Sequence, residues 1–175
     1  DKMRVYFGLD FGTTNSAVVG ITVHAVGMTE KQYGDEQNAP YPSIVAIHRE
    51  TGEILSGLEV KRNRQALSEE YEIITSIKSY LATDHVWELA GKKWTPVEIA
   101  SIIFKGLKEL VEEKSNLEVR NAMVSVPAGF SSEKRQALRQ AAALANIEIT
   151  NFVSESTAAL FYNYEMMKYH RYIGV

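Results

Sequence analysis

Near its start the chain carries "GLDFGTTNSAVVGITV", in which an aspartate, a glycine and a run of small polar residues separate two apolar, β-leaning stretches. These residue types suit phosphate chemistry. A tight Gly12-Thr13-Thr14 turn between strands leaves successive backbone N–H groups pointing outward, a concavity that binds anions. Gly12, having no Cβ, admits a ligand close to the backbone, and the Thr13 and Thr14 hydroxyls add donors. Asp10, at the preceding strand end, has the charge to hold a hard cation beside phosphates, directly or through water. The plainer alternative is a hairpin whose Asp and Thr side chains bond only to their own turn. Spacing alone does not separate the two. The segment is not a P-loop, since GxxxxGK[ST] is absent, and the glycine-rich dinucleotide fingerprint is absent too.

The elements that must hold this turn are legible in outline. Residues 4–10, rich in Val, Tyr and Phe, read as one strand and residues 16–23 as a second. Residues 29–38 form a polar stretch. Residues 43–48 read as a third strand, turned by "RETG" into residues 53–56, with Pro40 and Pro42 marking a loop edge. Residues 58–81 look helical, as two short helices broken near Ser68, and "VWELAGKKW" as a hairpin turning at Gly91. Thr95-Pro96-Val97-Glu98 is the clearest start signal: an N-cap Thr, Pro at the first helical position and Glu at the third. The helix should run to about Lys114 with Ile99, Ile102, Ile103, Leu107, Leu110 and Val111 in one apolar stripe. "NAMVSVP" then reads as a buried strand ended by Pro127. Ser131 or Ser132 caps a helix through "EKRQALRQAAALA", "IEITNFV" is a strand and "ESTAALFYNYEMMKY" a helix. Strands alternating with helices in the back half argue for a largely parallel sheet. With an antiparallel front half, the sum is a mixed α/β domain carrying an inserted polar segment.

Bulk properties exclude several classes. Apolar residues at 45% against 23% charged indicate a globular chain with a sizeable core. A net charge of -3 gives no basic footprint for nucleic acid. Absence of cysteine removes disulfides, thiolate metal sites and cysteine nucleophiles. No apolar run approaches the ~20 residues of a membrane span, and no secretory apolar segment is visible. Neither a nucleic-acid nor a membrane partner is therefore expected, and the expected location is cytoplasmic. The chain opens at Asp1, as a processed or cut chain would, and "RYIGV" reads as a strand that stops without a turn, so we expect a fragment of a longer protein. His24, His48, His85 and His170 lack ligand spacing and read as surface residues. The aromatic and Met-rich "FYNYEMMKYHRY" reads as core with a flanking surface.

"GLDFGTTNSAVV" resembles the first phosphate motif of the seventy-kilodalton heat-shock chaperones, members of the actin-like ATPase superfamily. Further segments agree in order. "YPSIVAI" is similar to the family's Thr-Pro-Ser strand and "SIKSYLA" to the helix start that carries its active-site lysine. "NAMVSVPAGFSSEKRQALRQAA" resembles its connect-1 segment and "VSESTAALFYNY" its Asn-Glu-Pro-Thr-Ala-Ala helix. The resemblance implies an actin-like, ribonuclease H-like lobe: a mixed sheet with helices on both faces and an inserted smaller subdomain. Residues 1–38 and 98–175 would form the core subdomain and residues 39–97 the insertion. The second lobe and the substrate-binding domain would follow outside this chain.

By the same resemblance, Asp10 would hold Mg²⁺ through water, while Gly12, Thr13, Thr14 and Asn15 wrap the β- and γ-phosphates of ATP or ADP. Lys78 matches the lysine at the γ-phosphate and attacking water, where an ammonium offsets charge building on the transferring group. Glu155 matches a glutamate near the metal and its waters, able to orient water or accept a proton. Pro127 and Arg135 match a proline and an arginine that relay nucleotide state between domains. Each has a bland alternative: a solvated lysine, a first-turn glutamate favoured by the helix dipole, a strand terminator and a solvated arginine. Implied partners are unfolded polypeptide clients, co-chaperones and nucleotide-exchange factors.

Three positions depart from the family pattern. Ser154-Glu155-Ser156 stands for Asn-Glu-Pro, Gly129 replaces a tyrosine and so loosens the turn after Pro127, and Tyr41 replaces the threonine of Thr-Pro-Ser. The expected function is the N-terminal lobe of an ATP-hydrolysing chaperone domain, with the fragment itself inactive because one lobe supplies only one wall of the cleft. The alternatives are a degenerate chaperone-like module that docks co-chaperones without turnover, and a sugar-kinase lobe of the same superfamily.

Overall fold

The computed structural model describes residues 4–34, 37 and 39–154. Its main sheet begins with β1 (Arg4–Phe11), β2 (Asn15–His24) and β3 (Gly27–Tyr33), followed by the two-residue β4 (Tyr41–Pro42). A second sheet contains β5 (Val45–His48) and β6 (Ile54–Ser56), then α1 (Leu58–Arg62) and α2 (Arg64–Leu67) lead to its third strand, β7 (Tyr71–Ile74). A 3-10 turn (Ile77–Tyr80) and the hairpin β8 (Trp87–Leu89) and β9 (Lys92–Trp94) precede α3 (Pro96–Lys114). The chain then runs through β10 (Asn121–Val126), α4 (Ser132–Leu144) and β11 (Glu148–Ser154).

The main sheet has the order β11-β10-β1-β2-β3, with β4 on β2. β1, β10 and β11 are parallel, whereas β2 and β3 are antiparallel, so the sheet is mixed as the sequence implies. α3 and α4 cover one face. Phe7, Leu9 and Phe11 of β1 share a core with Ile99, Ile103 and Leu107 of α3 and Leu138 and Ala141 of α4. The opposite face carries a small cluster of Ile21 and Met123 with Tyr6, Met28 and Val153. The helix expected from "ESTAALFYNYEMMKY", the terminal strand "RYIGV" and Glu155 lie outside the described residues.

α3 follows its sequence signals closely. The Thr95 hydroxyl accepts from the Glu98 amide, and the Glu98 carboxylate accepts from the Thr95 amide, a complete capping box with Pro at the first helical position. Ile99, Ile103, Leu107 and Val111 are wholly buried, each worth about 1.5–3 kcal/mol relative to exposure. Ile102 and Leu110 flank this stripe. Ser131 caps α4 by accepting from the Lys134 amide. At the far end of α3, Lys114 Nζ donates to the Gly34 carbonyl and ties the helix to the end of β3.

Two stretches differ from the sequence expectation. Residues 27–33, within or beside the stretch read as polar, form edge strand β3, paired with β2 from Val18↔Tyr33 to His24↔Gly27. Its exposed Thr29-Glu30-Lys31-Gln32 run has no apolar alternation to announce a strand. The backbone pairs because β2 offers an edge and only Tyr33 is buried. Residues 71–74, read as helix, are β7, hydrogen-bonded to β5 from Val45↔Ile74 to His48↔Tyr71. "YEII" has β-branched and aromatic character, and the pairing decides between helix and strand. His48, read as a surface residue, is instead a hairpin keystone: Nδ1 accepts from the Glu50 and Thr51 amides at 3.1 Å each, and its ring meets Tyr71 edge-on. The small sheet is amphipathic: Ala46 faces Val60 and Tyr71 in its own cluster, while Val45, Ile47 and Ile74 join the main core.

Candidate functional site

The phosphate-type turn stands on a rigid base. β1 and β2 are in continuous antiparallel register from Arg4↔Val23 to Phe11↔Ser16, leaving residues 12–15 to turn the chain. Phe11 stacks on Phe104 of α3 with ring centroids 5.1 Å apart, which fixes the end of β1 to the core. Gly12 is required by contact: a Cβ there would lie 2.1 Å from the Asn15 carbonyl oxygen.

Two serines prop the turn from beneath. Ser16 Oγ accepts from the Gly12 amide at 3.3 Å and lies 2.8 Å from Ser43 Oγ, both hydroxyls being buried. The Ser43 amide donates to the Thr14 carbonyl at 2.9 Å, and Asn15 pairs with Pro42. The "YPS" segment is thus the underside of the turn. One amide of the expected concavity, that of Gly12, is occupied internally. Among the described residues the Thr13 and Thr14 amides donate no hydrogen bond, and both residues are exposed. Gly12 therefore supplies space, and the amides of the turn left without an internal acceptor among the described residues are those of Thr13 and Thr14.

Asp10 is exposed at the carboxyl end of β1, in register with Ala17 of β2 and Ser125 of β10. Ser125 is in turn opposite Val153 of β11. The carboxyl ends of three parallel strands share one edge, the place where open α/β sheets receive ligands. Pro127 closes β10 on that edge. A single exposed carboxylate beside a hydroxyl-rich turn fits Mg²⁺, which keeps most of its waters and takes one or two carboxylates plus phosphate oxygens. Among the described residues no group of three or more His, Asp or Glu side chains forms a metal cage.

Lys78 sits on the 3-10 turn that replaces the expected helix start. Ser76, with φ 55 and ψ 38, turns the chain into it, and fully buried Ile77 anchors it. Lys78 Nζ lies 5.7 Å from the centre of the Phe130 ring, and Lys134 Nζ lies at the same distance. Lys78 is thereby brought to the loop after Pro127. That loop is not loosened by Gly129: the Phe130 amide donates to the Pro127 carbonyl at 3.1 Å, and Gly129, at φ 78, has the φ a type II turn demands at its third residue. Arg135 is exposed in the first turn of α4.

Thr13, Thr14 and Asn15 line a cavity of about 280 Å³ that they share with Thr75 and Ser76, the residues leading into the Lys78 turn. The segment carrying Lys78 and the phosphate-type turn therefore meet at one place. Lys61 and Arg64 line the same cavity. Neither these two nor the Ser16–Ser43 pair was legible as part of a site. Ser16 and Ser43 are 27 residues apart, and no local pattern announces their contact.

Tyr41 explains how its departure is accommodated. Its ring fills space over two glycines, since a Cβ at Gly57 would fall 2.5 Å and one at Gly106 2.3 Å from its atoms. Its hydroxyl is 2.6 Å from Ser56 Oγ. Burial, helped by the Glu109 charge and opposed by that hydrogen bond, pushes the phenol above its ordinary range, so it stays neutral.

A mixed sheet with a Gly-Thr-Thr turn between its first two strands, and a carboxylate at the shared strand edge, is compatible with the lobe of an actin-like ATPase. The chain belongs to the Hsp70 family: the family profile described as Hsp70 protein matches residues 82–173, more than half of its length. At family level this is a chaperone-type, nucleotide-binding domain. The matched range includes Pro127, Arg135 and Glu155 and begins after Lys78 and the turn.

Proposed function

We propose that this chain is the N-terminal lobe of an ATP-hydrolysing chaperone domain, whose Thr13–Thr14 turn receives the triphosphate. The observation that carries the reading is that exposed Thr13 and Thr14, whose amides have no internal acceptor among the described residues, line a cavity shared with the lead-in to Lys78. Membership of the Hsp70 family supports it. In this reading residues 1–38 and 98–175 form the core subdomain and residues 39–97 the insertion. Asp10 holds Mg²⁺ through water, Asn15 completes the phosphate wrap and Lys78 offsets charge on the transferring group. Glu155 orients the attacking water, while Pro127 and Arg135 couple the site to an attached client-binding domain. Clients, co-chaperones and nucleotide-exchange factors are the partners of such a domain.

One lobe provides one wall. A phosphate turn open to water lacks the desolvation and preorganisation that make such contacts strong, so ATP should bind the 175-residue chain weakly. The test uses a form extended past Val175 to include a second lobe. Lys78→Ala in that form should abolish single-turnover ATP hydrolysis while ATP binding persists. Hydrolysis at an unchanged rate would remove Lys78 from the mechanism.

A further inference from the structure

We propose that the cavity between the phosphate-type turn and the α1–α2 segment is a subsite for a phosphate group, with Lys61 and Arg64 as its cationic wall. The inference rests on the nucleotide reading above and adds two residues to it.

Charge is the first argument. The chain carries a net charge of -3, which opposes anions overall. Arg49, Lys92, Lys93, Lys108 and Arg120 all pair with carboxylates. Lys61 and Arg64 pair with none among the described residues, and both face this one cavity. No Asp or Glu lines it. Two cations without a carboxylate partner among the described residues, lining one cavity together with Thr13, Thr14, Thr75 and Ser76, offer an oxyanion-accepting surface. An arginine fork and a lysine point charge suit phosphate oxygens in complementary ways.

Placement is the second argument. α1 ends at Asn63, whose side-chain amide donates to the Glu59 carbonyl at 2.9 Å, and α2 restarts at Arg64. Val60 is wholly buried and holds α1 against the small sheet, so Lys61 and Arg64 project from a fixed support. Size is the third. A cavity of about 280 Å³ is many times the ~10–15 Å³ that one water needs, so it has room for a phosphate group with part of its water shell.

The phosphate could belong to a nucleotide or be free orthophosphate, and the experiment separates the two. Orthophosphate and ATP are titrated separately into the unaltered 175-residue chain and into Lys61→Ala/Arg64→Ala, following the Thr13 and Thr14 amide resonances. Both side chains are exposed, and thermal unfolding checks that the double variant is folded. We expect its orthophosphate affinity to fall at least tenfold, about 1.4 kcal/mol. An equal loss for ATP places the nucleotide's own phosphate in the subsite; a loss confined to orthophosphate makes it a site for the free ion. Either result supports the proposal. Unchanged affinity for both ligands overturns it, as does absence of orthophosphate binding by the unaltered chain at millimolar concentration. If orthophosphate binding depends on Lys61 and Arg64 but ATP never perturbs Thr13 or Thr14, the nucleotide reading fails and the subsite stands.

Discussion

Gly12→Ala is the substitution that most directly questions the turn. The added Cβ would sit 2.1 Å from the Asn15 carbonyl oxygen, against an ordinary contact of at least 3.4 Å. Relief requires a displacement of about 1.3 Å, and backbone, unlike a side-chain tip, does not swing away cheaply. Moving Asn15 also threatens the adjoining Ser43 N–H to Thr14 carbonyl bond and the Asn15–Pro42 pairing. Overpacking of this kind costs about 1–3 kcal/mol. At roughly 2–4 °C per kcal/mol for a chain of this size, the thermal midpoint should fall by about 2–12 °C. The measurement is a thermal unfolding curve by circular dichroism, with orthophosphate and ATP titrations on the same sample. Gly129→Ala is the control: nothing lies within 4 Å of its Cβ, but its φ of 78 strains any L residue. It should cost about 1 kcal/mol or somewhat more and leave anion binding alone. A Gly12→Ala chain within about 0.5 kcal/mol of the original, with unaltered binding, would refute the account of the turn.

Gly106→Ala should destabilise by about 1–3 kcal/mol, because its Cβ would fall 2.3 Å from the Tyr41 hydroxyl oxygen. Adding Tyr41→Thr, which restores the residue of the family pattern, should recover part of that loss through a coupling of about 0.5–3 kcal/mol; strictly additive costs in chemical denaturation would contradict this. Thr95→Ala should cost about 1 kcal/mol by removing the cap of α3, readable as a lower denaturation midpoint, and an unchanged midpoint would show the cap to be idle. Burial alone would raise the Glu98 carboxyl, yet its bonds to Lys92 at 2.7 Å and to Thr95 bring it below 4.5. A depressed carboxyl stabilises fully above its unfolded value and loses that contribution as pH falls through the folded one. The stability difference between the original chain and Glu98→Gln should therefore shrink as pH drops below 4.5, and a gap constant with pH would refute the linkage.

What the sequence determined by itself was whatever a short stretch of chain decides. Thr95-Pro96-Val97-Glu98 specifies α3 because a capping box closes within four residues, and Gly91 marks its hairpin because a turn needs few neighbours. The apolar runs of β1, β2, β10 and β11 announce a buried sheet, and the Asp10–Thr14 turn follows from residue types adjacent in the chain. Only tertiary structure decided the rest. β3 and β7 are strands because β2 and β5 present unpaired edges to them, which outweighs a polar composition in one and a helix-like context in the other. The Ser16–Ser43 contact, the burial of Tyr41 over Gly57 and Gly106, and the cavity that Lys61 and Arg64 line together with the turn join residues far apart in sequence. Hydrogen bonds, packing and charge act over a few ångströms of space, whatever the length of chain between the groups. Those parts of the site exist only once the fold has closed those distances.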